Sequence, residues 1–231
     1  MKLLAFDTST DLISIAVTRL VDGQARLWQH TGAGGAQASA ALIPAIETLM
    51  AEAELKFEAL DAIAFGRGPG SFTGLRIACG VTQGLAYALD VRVKGIVTLM
   101  ALAEDLYRTD GCRQVIACID ARMGEVYHAA YEQRGGGWHE VHAPGLCKPD
   151  AVPELPAGTW AGCGSGFSVY RAALESCYAG KLARVIENLV PHAREIAVLA
   201  AAEFGRGGAV SAELAAPLYV RNKVALRMDE R

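Results

Sequence analysis

Lys2-Leu3-Leu4-Ala5-Phe6-Asp7-Thr8-Ser9-Thr10 opens the chain, and Val115-Ile116-Ala117-Cys118-Ile119-Asp120-Ala121-Arg122 answers it 113 residues later. Each is a short apolar run that ends in Asp and a polar turn, the pattern of a buried strand. After the first, Leu12–Arg19 alternates and reads as a second strand. Asp22-Gly23 makes a turn into a third strand, Gln24–His30. A Gly-rich loop (Gly32–Gly35) leads to residues 37–54, where Leu42, Ile43, Ile46, Leu49, Met50 and Ala53 recur at helical spacing. Pro44 sits early in that helix, where a missing N–H costs least. Asp61–Gly66 reads as a strand, Thr73–Leu89 as a helix, Arg92–Val97 as a strand and Thr98–Tyr107 as a helix.

The series restarts at Gln114. Gly124–Glu132 and Trp138–Gly145 read as strands on either side of Gly135-Gly136-Gly137. Residues 149–155 read as a helix remnant weakened by Pro153. Gly158–Gly164 is a strand, Ser168–Tyr178 a helix, Ala183–Glu187 a strand and His192–Phe204 a helix. The order βββαβαβα therefore occurs twice. The expected fold is α/β, a duplicated two-lobe architecture like actin, Hsp70 and the sugar kinases (ribonuclease H-like). The expected units are 1–109 and 110–231, with the last segment able to pack back on the first.

Composition agrees with a folded, non-membrane chain. Of 231 residues, 52% are hydrophobic and 20% charged, which excludes dominant disorder. No run approaches the ~20 apolar residues of a membrane helix, and the N-terminus lacks the pattern of a signal peptide, so a cytoplasmic location is expected. The net charge of −3 offers no basic surface for nucleic acid. The six cysteines never form C-x-x-C, and no H-x-x-x-H or H-E-x-x-H occurs. Structural thiols and no metal site are the expectation.

Two motifs carry chemistry. Asp7-Thr8-Ser9-Thr10 occupies the turn that holds phosphate in kinase-like folds, through backbone N–H groups and hydroxyls. The bland alternative is a turn that satisfies its own backbone. Gly66-Arg67-Gly68-Pro69-Gly70-Ser71-Phe72-Thr73-Gly74 fixes an unusual path into a helix capped by Ser71 or Thr73, whose N-terminus is an anion site in principle. It is not a P-loop. Gly162-Cys163-Gly164-Ser165-Gly166 is either a remnant phosphate loop or the cap of the helix beginning near Ser168. No G-x-S-x-G elbow exists. The helix after the first Gly motif is apolar nearly all round, with Gly80, Gly84 and Ala88 in line. Leu42, Ile46, Ile77, Val81 and Leu85 add apolar area, and these eight residues are the expected partner surface.

Leu3–Thr10, Gly66–Ala86, Asp120–Glu132 and Ala216–Asn222 together resemble the TsaB family, also called YeaZ, over essentially the whole chain. The resemblance implies a non-catalytic partner of TsaD, the metal-bearing paralogue that places threonylcarbamoyl on adenosine 37 of tRNAs reading ANN codons. It implies further a TsaE-like ATPase partner, homodimers through the N-terminal helices, tRNA contact only through the complex, and weak or no ATP or ADP binding. Gln37–Pro44 lacks the His pair with which TsaD holds its metal, and Ala38 stands where many TsaB-like sequences keep one His. The competing readings are an active ATP-dependent phosphotransferase of the same superfold and a metal-independent peptidase.

Overall fold

A computed structural model describes residues 1–221. β1 (Leu3–Asp7) is buried along its whole length because it pairs on both edges, antiparallel with β2 (Leu12–Val21) and parallel with β4 (Ala62–Gly68). β3 (Gln24–Ala33) and β5 (Arg92–Val97) complete a sheet of order β3-β2-β1-β4-β5. A strand covered on both faces needs an unbroken apolar run rather than alternation, and Leu3-Leu4-Ala5-Phe6 is one.

The alternation within that run divides the two faces by size. Leu4, Phe6, Ile15 and Val17 meet α1 (Ala38–Glu52) and α2 (Phe72–Leu89). Leu3, Ala5, Ala16, Ala62 and Ala64 face the other way, onto Ala193, Ile196, Ala197 and Ala200 of α5 (Ala193–Gly205). Alanine against alanine lets α5 lie close to the sheet. Leu42, Ile46, Leu49 and Met50 anchor α1, each worth ~1.5–3 kcal/mol when fully buried. Pro44 falls in the second turn of α1 and takes a donor from Ala40 C=O; both residues are exposed, so water can serve that carbonyl.

The second sheet has the order β10-β9-β6-β7-β8, from β6 (Gln114–Asp120), β7 (Val126–Arg134), β8 (Gly137–Cys147), β9 (Trp160–Cys163) and β10 (Leu182–Ile186). Ile116, Cys118, Ala130 and Trp160 pack against α4 (Ser165–Cys177). Val115, Ala117, Ala129 and Tyr131 pack against Leu99, Leu102, Ala103 and Leu106 of α3 (Thr98–Asp110). The last helix of each repeat therefore covers the sheet of the other, and the two lobes are interlocked.

Two details depart from the sequence reading. Residues 149–155 form no helix, so the second repeat lacks a counterpart of α1. Pro149, Pro153 and Pro156 remove three donors, and the irregular chain is held from outside, by His142 Nε2 on Glu154 C=O (2.8 Å) and by Lys181 Nζ on Leu155 C=O. α4 begins at Ser165 with Gly164 as its N-cap, three residues before the expected start. Among the described residues no helix is long and apolar enough to cross a membrane.

Where α3 and α5 cross, charge is buried. Glu195 is fully buried and Asp105 nearly so. Arg194 reaches both, at 3.3 Å to Asp105 and 2.5 Å to Glu195, and Arg108 lies 4.0 Å from Glu195. Burial pushes both carboxyl groups above their ordinary range, and Arg194 opposes it. Removing the cation from such a cluster leaves uncompensated charge. Arg194→Met should cost about 3 kcal/mol at pH 7.5. Losing the cation raises both carboxyl pKa values further in the folded state, so the cost should shrink as pH falls towards 5. Denaturant unfolding of both proteins at the two pH values checks this.

Candidate functional site

The two sequence motifs are one structural unit. A Cβ built on Gly74 would lie 1.8 Å from Thr8 O, one on Gly66 1.7 Å from Asp7 Oδ2, and one on Gly70 2.6 Å from Ser9 O. Three glycines at spacing four thus form the seat of Asp7-Thr8-Ser9. Thr8 Oγ1 donates to Gly74 C=O (2.7 Å), and Ser71 N–H donates to Ser9 C=O (2.8 Å). Ser71 is the N-cap of α2, its hydroxyl accepting from Gly74 N–H at 3.4 Å. The peptide between Gly68 and Pro69 is cis.

Asp7 is buried beneath this turn. Its Oδ1 accepts from Ser9 N–H (2.8 Å) and Ser9 Oγ (2.7 Å), while Oδ2 finds no partner among the described residues. Burial raises its pKa from the ordinary 3.8 to about 6, against the lowering effect of the Ser9 hydrogen bonds.

Above the turn, between the lobes, lies a cavity of about 560 Å³. Ser9, Thr10, Gly70, Ser71 and Phe72 line it from the first lobe, and Asp120, Arg122, Ser165, Ser168 and Asn188 from the second. Of the expected ligand turn, Ser9 and Thr10 reach the wall; Asp7 and Thr8 do not line it. Its cations are Arg122 and Arg221. Arg122 lies 3.3 Å from Asp120, and Arg221 lies 2.8 Å from Glu125. Gly164 and Gly166 do not line this wall; added Cβ atoms would meet Cys118 O at 2.4 Å and Cys118 Cβ at 2.8 Å, so that loop packs on β6. Asp120, Ser168 and Asn188 share no motif in the sequence; the fold brings them to one wall from three separated segments.

The expected partner surface divides in two. Gly80, Gly84 and Ala88 are exposed, and Ile77, Val81 and Leu85 are half-buried beside them. A Cβ on Gly80 or Gly84 would meet nothing within 4 Å among the described residues, so no packing seen there requires either glycine. Leu42 and Ile46 need correction: both are 0% exposed and belong to the chain's own core. Leu42, Ile46, Leu49 and Ala53 form one i, i+4, i+7, i+11 stripe facing the sheet. The neighbour that does reach solvent is Ile43, 45% exposed, and Tyr87 on α2 is 81% exposed. Among the described residues no three His, Cys, Asp or Glu side chains stand together as a metal site.

Known proteins resemble this chain over nearly its whole length. A family model described as TsaD, tRNA N6-adenosine threonylcarbamoyltransferase, matches residues 33–227. The tRNA threonylcarbamoyladenosine biosynthesis protein TsaB of Escherichia coli strain K12 is 34% identical over 97% of this chain and 96% of that protein. The chain belongs to the TsaB/YeaZ family. TsaB of Haemophilus influenzae is 32% identical over 97% of the chain and 95% of its own length. The solved structure of YeaZ from Pseudomonas aeruginosa, 38% identical, superposes with a TM-score of 0.86 over 94% of this chain and 99% of that one. The strand order and pairing directions of the first sheet recur in the second, the duplicated ribonuclease H-like, two-lobe arrangement expected of the actin and sugar-kinase fold, and the YeaZ structure shares it. Asn222, the end of the C-terminal family motif, and the end of the expected second unit at 231 lie outside the described residues.

Asp7→Asn separates a buried structural carboxyl from a working one. The folded protein holds the Asp7 proton to about pH 6 and the unfolded chain releases it near 3.8. Wild-type stability therefore falls as pH rises through that window, by up to roughly 3 kcal/mol. Asparagine keeps the Oδ1 acceptor and carries no charge. Its stability relative to wild type should rise by that amount from pH 4 to pH 7.5, measured by urea unfolding. A stability difference between the two proteins that stays constant over that range would contradict the raised pKa.

Proposed function

We propose that this chain serves tRNA threonylcarbamoyladenosine biosynthesis as a non-catalytic subunit that docks on, and activates, a TsaD-like paralogue. The observation that carries the reading is the outer face of α2. Gly80, Gly84 and Ala88 are exposed in a line, flanked by Ile77, Val81, Leu85 and the exposed Tyr87. Arg76, the charged residue of that helix, is turned to Tyr219 and Phe72 instead. Small exposed residues let a second helix approach closely, and the flanking apolar side chains gain area when water leaves. α1 packs beside α2, and its Ile43 is exposed.

The interior chemistry supports a subunit without its own reaction. Ser9 N–H and hydroxyl, donors suited to a phosphate, serve Asp7; Ser71 N–H serves Ser9. Arg122 and Arg221 face carboxylates. Such a cleft works with weak or no ATP or ADP, and the helix at Gln37–Pro44 supplies no His for a metal. In this reading the same α2 face forms a homodimer when TsaD is absent. The TsaE-like ATPase joins the assembled pair, tRNA is met through the complex, and the site of action is the cytoplasm.

Gly84→Leu tests the reading. The new side chain enters open space in the monomer, and leucine is the better helix former by roughly 1 kcal/mol. The variant should fold with stability equal to or above wild type. Its affinity for the TsaD-like protein of the same organism, measured by calorimetry, should fall at least tenfold, about 1.4 kcal/mol, and tRNA modification by the pair should fall with it. A folded variant that binds as wild type places the interface elsewhere.

A further inference from the structure

The chain after α5 returns across the first lobe. Ala215 C=O accepts from Gln83 Nε2 (2.9 Å) and Cys79 Sγ (3.3 Å), both on α2. Leu218 N–H donates to Arg67 C=O (2.7 Å), adding the segment to the end of β4. The Tyr219 ring lies 5.2 Å from that of Phe72, and its hydroxyl accepts from Arg76 Nε (3.2 Å). Two residues later the segment touches the second lobe. Arg221 Nη2 donates to Ala121 C=O (3.0 Å), to Arg122 C=O (3.4 Å) and to Glu125 Oε2 (2.8 Å), and Nη1 lies 2.9 Å from Met123 Sδ.

The turn that Arg221 grips is an unusual one. Arg122, Met123 and Gly124 hold φ of 61°, 59° and 76°, three consecutive residues in the left-handed region, two of them with a Cβ. Such a stretch costs free energy unless its surroundings hold it. Here it presents the Ala121 and Arg122 carbonyls to one guanidinium nitrogen, and Glu125 supplies the countercharge. The Arg221 side chain is 12% exposed, so this ion pair is shielded.

Only Val220 separates Tyr219, fixed on the first lobe, from Arg221, fixed on the second. Two residues span at most ~7 Å when fully extended, so the segment has little slack. Arg221 also lines the interlobe cavity. We propose that residues 215–221 are an interlobe strap whose Arg221 end holds the β6–β7 turn and sets the opening of the cleft. With the strap seated, Ser9, Thr10 and Asp120 share one interlobe cavity. Its release frees the turn to relax and the cleft to widen. The inference does not depend on which partner α2 takes.

Hydrogen–deuterium exchange of the full chain, with small-angle scattering, tests it. The Ala121 N–H is held by Glu125 C=O (3.0 Å) and the Glu125 N–H by Arg122 C=O (3.2 Å). Arg221→Gln should speed exchange of both amides by about tenfold or more and enlarge the radius of gyration, with β1 and β2 protected as in wild type. Glu125→Gln cuts the same contact from the other lobe. It should speed the same amides and that of Leu218, and it decides alone if Arg221→Gln does not fold. Wild-type exchange at Ala121 and Glu125 overturns the proposal. So does faster exchange with an unchanged radius of gyration, because the turn would then be loosened without any effect on the cleft.

Discussion

The carbonyl of Thr8 rests on the α-carbon of Gly74, and most of the molecule is arranged around that contact. It brings the end of β1 against the start of α2 with no room for a methyl group between them. Gly66 and Gly70 repeat the arrangement for Asp7 and Ser9 on either side. The turn that would hold a ligand in a kinase-like enzyme is thus gripped from below by its own helix, and its donors are directed inward. The most distinctive motif of the sequence is explained first by packing.

From that contact α2 is presented with two different faces. Its inner face, with Leu75, Ala78, Cys79, Thr82 and Ala86, closes the core of the first lobe. Its outer face carries Gly80 and Gly84, which no packing among the described residues requires. A glycine inside a helix is unfavourable by up to about 1 kcal/mol relative to alanine, so two of them on an open face point to a demand from outside the monomer. The interlocking of α3 and α5 joins the lobes, through the alanine-lined sheet face and the buried Arg194 cluster.

Much of this was legible in the residues. The duplication follows from two apolar strands ending in Asp, because a central strand buried on both faces has few other ways to be written. The helices appeared where their periodicity is strong. Residues 149–155 keep the apolar residues of a helix but, with Pro149 and Pro153, not its ability to donate hydrogen bonds, so the pattern overstates the structure there. The alanine-rich sequence of α1 hides which side is wet, so Leu42 and Ile46 look available to a partner; the stripe they share with Leu49 and Ala53 gives the inward direction. The seating of Asp7-Thr8-Ser9 on Gly66, Gly70 and Gly74 could not be read, since spacing along one segment says nothing of what another segment brings against it. The grip of Arg221 on residues 121–125 lies at a separation of about 100 residues and leaves no local pattern.

Alanine substitutions at two glycines of one helix test the central claim most directly. Gly74→Ala and Gly84→Ala are the same chemical change with the same intrinsic helix preference. In denaturant unfolding without ligand or partner, Gly84→Ala should stabilise by roughly 0.5–1 kcal/mol. Gly74→Ala should destabilise by about 3 kcal/mol or more, because its methyl meets a backbone oxygen that cannot move without moving β1. If Gly74→Ala unfolds like wild type, the glycine motif does not hold the turn, and the account of this fold as a scaffold built on that seat is contradicted.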